Sequence, residues 1–159
     1  MKIQRVTSHQ ERLWRSALEE TLPEIISEDT FLSEKDFTSA LEDTRCYALV
    51  ATDDIPDRPV GILTAYRFPD LTARGDLVYL NDIVVASGHR CRGVATALIN
   101  ALIEQCRSDR VVRIWAGTGQ ENLPAHLAFY RTGARKIGET YTEYEWLLNA
   151  SGVTDIPAA

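Results

Sequence analysis

The run Leu77-Val78-Tyr79-Leu80-Asn81-Asp82-Ile83-Val84-Val85 constrains this chain more than any other stretch. Its length and β-branched content fit a central strand, yet Asn81 and Asp82 interrupt its centre. Residues 86–92 then read as a loop, after which Val94, Leu98, Leu102 and Cys106 mark one face of a helix, with Ala95, Ile99 and Ala101 widening the apolar band. A strand, a loop and a helix whose broad apolar face needs cover imply a sheet with that helix packed on it.

The flanking segments supply the rest of such a fold. Lys2 to Thr7 reads as a short strand, and Leu13, Trp14, Ala17 and Leu18 sit at helical spacing between Gln10 and Glu20. Ser33-Glu34-Lys35-Asp36 places an acid three residues after a hydroxyl, the mark of a helix start, ahead of Phe37, Ala40 and Leu41. Arg45 to Thr52 and Val60 to Phe68 read as two strands of a hairpin across a turn-rich segment. Val111 to Trp115 reads as a strand, Asn122 to Thr132 as a short helix, and Arg135 to Leu148 as two further strand-like runs. Hairpins combined with one strand-helix-strand crossover give an α+β domain over residues 1–150, with 151–159 as a tail; a doubly wound parallel sheet fits less well.

Composition narrows the function. With 159 residues, 45% hydrophobic and 25% charged, the chain is an ordinary globular one. No apolar run approaches the roughly 20 residues of a membrane span. The first residues lack a secretory signal, so the cytoplasm is the expected compartment. Cys46, Cys91 and Cys106 fit neither a disulfide framework nor a zinc site and read as free thiols. The net charge of −6 argues against nucleic acid as partner. Residues 1–57 carry 13 acidic and 6 basic side chains, a net −7, against a net +1 for residues 58–159. An acidic front either favours a cationic partner or is a solvated helix surface; charge alone leaves both open.

The chemistry concentrates in the loop Val85-Ala86-Ser87-Gly88-His89-Arg90-Cys91-Arg92-Gly93-Val94-Ala95-Thr96. A helix start presents about four unpartnered N–H groups and a partial positive charge. Gly93 lets a ligand approach the main chain without a Cβ in the way, and Arg90 and Arg92 add full charges. The segment therefore reads as an anion site, or more plainly as a surface β-to-α turn with incidental arginines. A P-loop needs Gly-Lys-Ser/Thr at its end, and a dinucleotide fingerprint needs three spaced glycines; neither is present. His9, His89 and His126 are isolated, so no metal is expected.

Arg90-x-x-Gly93-x-Ala95 after Ile83-Val84-Val85 resembles the acetyl-coenzyme A loop of the GNAT superfamily of N-acetyltransferases. The order of elements over residues 2–148 resembles that family too, and Asn122-x-x-Ala125 followed by Phe129-Tyr130 and Gly133 looks like its late helix motif. The segments 82–85 and 95–100 are similar in particular to aminoglycoside 3-N-acetyltransferases. The resemblance implies a mostly antiparallel sheet of six to seven strands with about four helices, and acetyl-CoA as cosubstrate. It implies that Arg90, Cys91, Arg92, Gly93, Val94, Ala95 and Thr96 hold the pyrophosphate. Ile83, Val84 and Val85 would meet the pantetheine arm, and Asn122 is counted with the cofactor residues. A homodimer through the late strands is a further expectation of the resemblance.

Acetyl transfer to an amine requires the neutral amine, yet a lysine-like amine has a pKa of about 10.4 and must lose a proton first. Asp82 is the candidate base, or holds the cation; the plainer alternatives are a backbone cap or an arginine partner. An N–H near Val85 is placed to meet the developing oxyanion if the strand bulges and splays there, as in the family. Tyr130 is the candidate acid for the leaving sulfur. Counting back from Gly133 falls on Phe129, and counting from Asn122 goes one past Tyr130; the Phe129-Tyr130 pair favours Tyr130. Trp14, Trp115, Trp146, Tyr141 and Tyr144 are core residues first and acceptor-pocket candidates second, while Glu143 and Glu145 share one face of a strand-like run. The reading is acetyl transfer to a small, cationic amine. The alternatives are a protein or peptide N-acetyltransferase and a non-catalytic coenzyme A sensor.

Overall fold

Every residue from Tyr47 to Ala51 is buried, so their strand has both faces covered and belongs inside a sheet. Tyr47, Leu49 and Ala51 join one apolar cluster and Ala48 and Val50 another, following the two-residue side-chain period of a strand. The computed structural model describes residues 1–23, 33–54, 58–72 and 75–137. Its elements are β1 (Lys2–Arg5), α1 (Glu11–Thr21), α2 (Glu34–Glu42), β2 (Cys46–Thr52), β3 (Pro59–Pro69), β4 (Asp76–Val85), a 3-10 turn (Ser87–His89), α3 (Val94–Ser108), β5 (Arg113–Ala116) and α4 (Leu123–Arg131). The strands lie in chain order, β1 to β4 antiparallel and β5 parallel to β4 across the α3 crossover.

The two clusters are the two sides of the sheet. On one side, Val94, Leu98, Ile99, Leu102 and Cys106 of α3 pack with Leu49, Leu63, Val78 and Leu80, the helix face that the sequence spacing marks. On the other, Ala17 of α1 and Phe37 of α2 pack with Val50 and Ile62. Where α3 begins, β3 contributes Gly61: a Cβ there would stand 2.8 Å from Val94 Cγ1 and 3.2 Å from Leu98 Cδ1. Its missing side chain lets the start of α3 settle on the strand.

The local signals act as expected, with shifts at the ends. Ser33 caps α2, its Oγ accepting from Asp36 N–H at 3.2 Å and donating to Asp36 Oδ2 at 2.6 Å. β5 starts two residues later than its sequence implies. Arg110 takes a left-handed φ of 59°, and Val111 N–H donates to Cys106 O, closing the end of α3 before the strand begins. The expected six to seven strands are five among the described residues. Residues 135–137 form no strand, and the runs expected beyond them, with Tyr141, Glu143, Tyr144, Glu145, Trp146 and the tail, lie outside the described residues.

Candidate active site

The polar pair in the middle of β4 is a β-bulge. Thr64 pairs with Asp82, but the next residue, Ala65, pairs with Leu80, leaving Asn81 as the extra residue. Val78 and Leu80 face α3, and so do Ile83 and Val85; an unbroken strand would put residues 80 and 83 on opposite faces. The bulge therefore turns Asp82 away from α3, to the face it shares with Thr64. Thr64 Oγ1 donates to Asp82 Oδ2 at 2.9 Å, and Asn81 Nδ2 donates to the same oxygen at 2.6 Å. Side chains of adjacent strand residues normally point apart, so the second bond depends on the bulge. Asp82 is exposed and has neither of its expected plain roles, since no arginine and no backbone N–H meets its carboxylate among the described residues. Farther along this face stands Tyr66, 47% exposed. Its hydroxyl pKa is raised by burial, then by the charges of Cys46 and Asp82. Trp115 meets Phe68 edge-on at 5.2 Å and Tyr79 at 5.5 Å.

The bulge also ends the sheet on one side. β5 pairs with β4 only from Leu77 to Leu80, so residues 81–85 have β3 on one edge and no strand on the other among the described residues. The ladder fixes which groups face the opening. Ala86 N–H donates to Val60 O at 3.0 Å, so by alternation Val84 and Asp82 turn their main-chain groups toward β3, while Ile83 and Val85 turn theirs away from it. Arg90 Nε donates to one of these, Val85 O, at 3.3 Å. That bond ties the loop to the strand end, and the other guanidinium N–H groups have no partner among the described residues.

Beyond the opening, Cys91 (φ 60°) and Gly93 (φ 82°) both take left-handed conformations, and Gly93 is the residue before α3. No side chain caps it, and the first helical bond is Ala97 N–H to Gly93 O, so the amides of Val94, Ala95 and Thr96 have no intrahelical partner. A Cβ on Gly93 would meet nothing within 4 Å, so the space there is open; its left-handed φ favours glycine. Arg90, Cys91, Arg92 and Gly93 are all exposed. Free amides, open space and two guanidinium groups at a helix start are a donor set for a diphosphate.

The other expected site residues are placed differently. Asn122 caps α4, accepting from Ala125 N–H at 3.3 Å and donating to Thr118 Oγ1 at 3.0 Å. Phe129 packs against the α3-side cluster, while Tyr130 is 54% exposed, its hydroxyl without a partner among the described residues. Of the two register choices, Phe129 is thus the packing residue and Tyr130 the available hydroxyl. Five acids of residues 1–57 stand in pairs: Glu11 with Arg15, Glu20 with Arg58, Asp43 with Arg45, Asp53 with His89, and Asp54 with the N-terminal amine. Thr64, the partner of Asp82, has no signature in the sequence because its role comes from the pairing register alone. Asn81 had one, a second polar residue in an apolar run.

All three cysteines are unpaired, and their settings differ. Cys106 is 2% exposed and burial pushes its thiol up to about 11, whereas Cys91 is exposed at the loop tip. An aromatic disulfide reagent at pH 8 is expected to titrate Cys91 quickly and to leave Cys106 silent until the protein is unfolded. Early modification of Cys106, followed by mass spectrometry, would contradict that packing. Among the described residues no group of three or more His, Cys, Asp and Glu is arranged to hold a metal ion, and no helix is long and apolar enough to cross a membrane.

The model of the acetyltransferase (GNAT) family matches residues 10–134, a span that includes the bulged strand and the start of α3. The chain belongs to the GNAT family. Membership makes it an acetyl-CoA-dependent N-acetyltransferase. Solved structures share the fold. An aminoglycoside acetyltransferase from an uncultured soil metagenomic sample, in complex with trehalose, is 18% identical with a TM-score of 0.76, covering 92% of this chain and 95% of that one. A second aminoglycoside acetyltransferase from an uncultured soil sample is 22% identical, again at 0.76, covering 91% and 98%. AAC(6')-Iy in complex with the bisubstrate analogue CoA-S-monomethyl-acetylneamine is 18% identical at 0.72, covering 92% and 98%. No curated protein matches the sequence. The mostly antiparallel sheet of this GNAT domain and the four helices among the described residues agree with the fold that the sequence motifs imply.

Proposed function

We propose that this enzyme acetylates a primary amine of a small, polar, cationic molecule, aminoglycoside-like or polyamine-like, in the cytoplasm. The observation that carries the reading is Asp82: an exposed carboxylate held only by neutral donors, at the point where β4 leaves β5. With no protein cation to neutralise it among the described residues, it attracts an ammonium group and takes up its proton, directly or through a water. The preference for a cation rests on the site itself.

The unpartnered amides of α3, Gly93, Arg90 and Arg92 hold the diphosphate, and Ile83 and Val85 meet the pantetheine arm through their outward main-chain groups. Bound acetyl-CoA supplies an acyl carbonyl already activated as a thioester. The N–H of Ile83 or Val85 donates to the carbonyl oxygen as charge grows on it. Tyr130 returns a proton to the sulfur; a thiol pKa of about 8.5 makes that contribution modest. Two solved relatives of the fold point to the acceptor classes to compare: an aminoglycoside acetyltransferase in complex with sisomicin and a ribosomal-protein-alanine N-acetyltransferase from Brucella melitensis.

The test is release of coenzyme A thiol with a panel of sisomicin, neamine, spermidine and a short peptide bearing a free amino terminus. Turnover is expected with the first three and at least tenfold lower kcat/KM with the peptide. A preference for the peptide would reassign the acceptor. Binding of acetyl-CoA without turnover of any amine would leave a sensor.

A further inference from the structure

Both hydrogen bonds to Asp82 fall on one of its oxygens. Thr64 Oγ1 and Asn81 Nδ2 donate to Oδ2, from β3 and from the bulge of β4 respectively, and Oδ1 has no partner among the described residues. A carboxylate gripped from two directions on one oxygen cannot rotate freely, and its other oxygen keeps its lone pairs for whatever approaches from the solvent side. We propose that Thr64 and Asn81 are positioning residues that lock Oδ2 and present Oδ1 to the acceptor amine. The inference rests on Asp82 acting as proposed above, and it adds two residues to that reaction and a choice between two oxygens.

The two anchors are independent in origin. Thr64 is half-buried within β3, paired directly opposite Asp82, so its hydroxyl is fixed by the sheet. Asn81 is the inserted residue, and its amide reaches Oδ2 only because the bulge puts neighbouring side chains on one face. In the charged form Oδ2 accepts both bonds. When Oδ1 takes the proton from the amine, Oδ2 becomes the carbonyl oxygen and keeps both donors, so the proton arrives without any rearrangement of the bonds that hold the group. Tyr66 of β3 is the titratable side chain described on this face that feels the charge of Asp82, and it donates no hydrogen bond to it.

Thr64→Val removes the hydroxyl with little change of shape, and Thr64→Ser keeps it. With the fastest amine of the panel above, Thr64→Val is expected to lower kcat about tenfold while leaving the Kd for acetyl-CoA within twofold, and Thr64→Ser to restore most of the rate. In an Asp82→Asn background the Thr64→Val change is expected to have no further effect on the residual rate, since the group it positions is gone. Thr64→Val at full rate, beside an Asp82→Asn variant that is strongly impaired, would overturn the positioning role and leave Asp82 standing. An equal further loss in the Asp82→Asn background would show a general structural effect and overturn it as well. Asp82→Asn at full rate, or no turnover of any amine, would remove the underlying reading and this inference with it. Asn81→Ala, predicted to lower kcat by a similar factor, supplies the second arm should Thr64→Val fold poorly.

Discussion

Asp82→Asn is expected to reduce kcat by about two to four orders of magnitude, the range typical of removing a positioned acid or base, and to leave acetyl-CoA affinity within about twofold. The substitution keeps the size of the side chain and an oxygen able to accept from Thr64 Oγ1, so the β3-β4 pairing has no reason to change. It removes the charge that draws an ammonium group and the basicity that deprotonates it. The loop before α3, proposed above to hold the cofactor, is fixed by other means, through the Arg90 bond to Val85 O and the left-handed turns at Cys91 and Gly93. Steady-state kinetics paired with calorimetric titration of acetyl-CoA checks both halves. Unchanged turnover would remove Asp82 from the reaction, and lost cofactor binding would show that it supports the cleft instead.

Leu98→Ala is expected to lower folding stability by about 3–5 kcal/mol, near the top of the range for large-to-small core changes. Leu98 is fully buried, lies at the centre of the α3 face, and packs where β3 carries no side chain at Gly61. A backbone cannot collapse into the space a lost isobutyl group leaves as a flexible side chain would, which puts the cost at the high end. Against a domain stability of about 5–15 kcal/mol, the variant is marginal. Urea unfolding should show a lower midpoint with an unchanged slope. A loss below about 1.5 kcal/mol would mean that the contact between α3 and β3 is loose.

The sequence carries the architecture where side-chain periodicity is unambiguous. The apolar band from Val94 to Cys106 is legible by its helical spacing, and the doubly buried strand around Leu49 by an unbroken apolar run ahead of a turn-rich segment. The donor set at Gly93 is equally legible, since glycine and arginines before an amphipathic helix mark a helix start with open amides and added positive charge. The bulge is not. Asn81 and Asp82 announce an interruption of β4, but only the pairing of Thr64 with Asp82 and of Ala65 with Leu80 shows that one residue is inserted and which face each side chain takes. Thr64 could not be singled out for the same reason: a threonine in a strand is ordinary until a carboxylate is placed opposite it. Net charge along the chain does not record where each acid stands, and the pairs that Glu11, Glu20 and Asp43 make with arginines are set by the fold.

A one-residue insertion in a strand is an all-or-none feature. Were Asn81 deleted, Leu80 would still stand opposite Ala65 and Asp82 opposite Thr64, and an unbroken strand would keep Leu80 and Ile83 toward α3 and Asp82 away from it. The shorter strand would lose the amide donor beside the carboxylate and the extra twist of the bulge, not the face. Moving the insertion beyond Asp82 is the change the fold resists, because it would carry the carboxylate to the side of α3 and bury a charge among leucines.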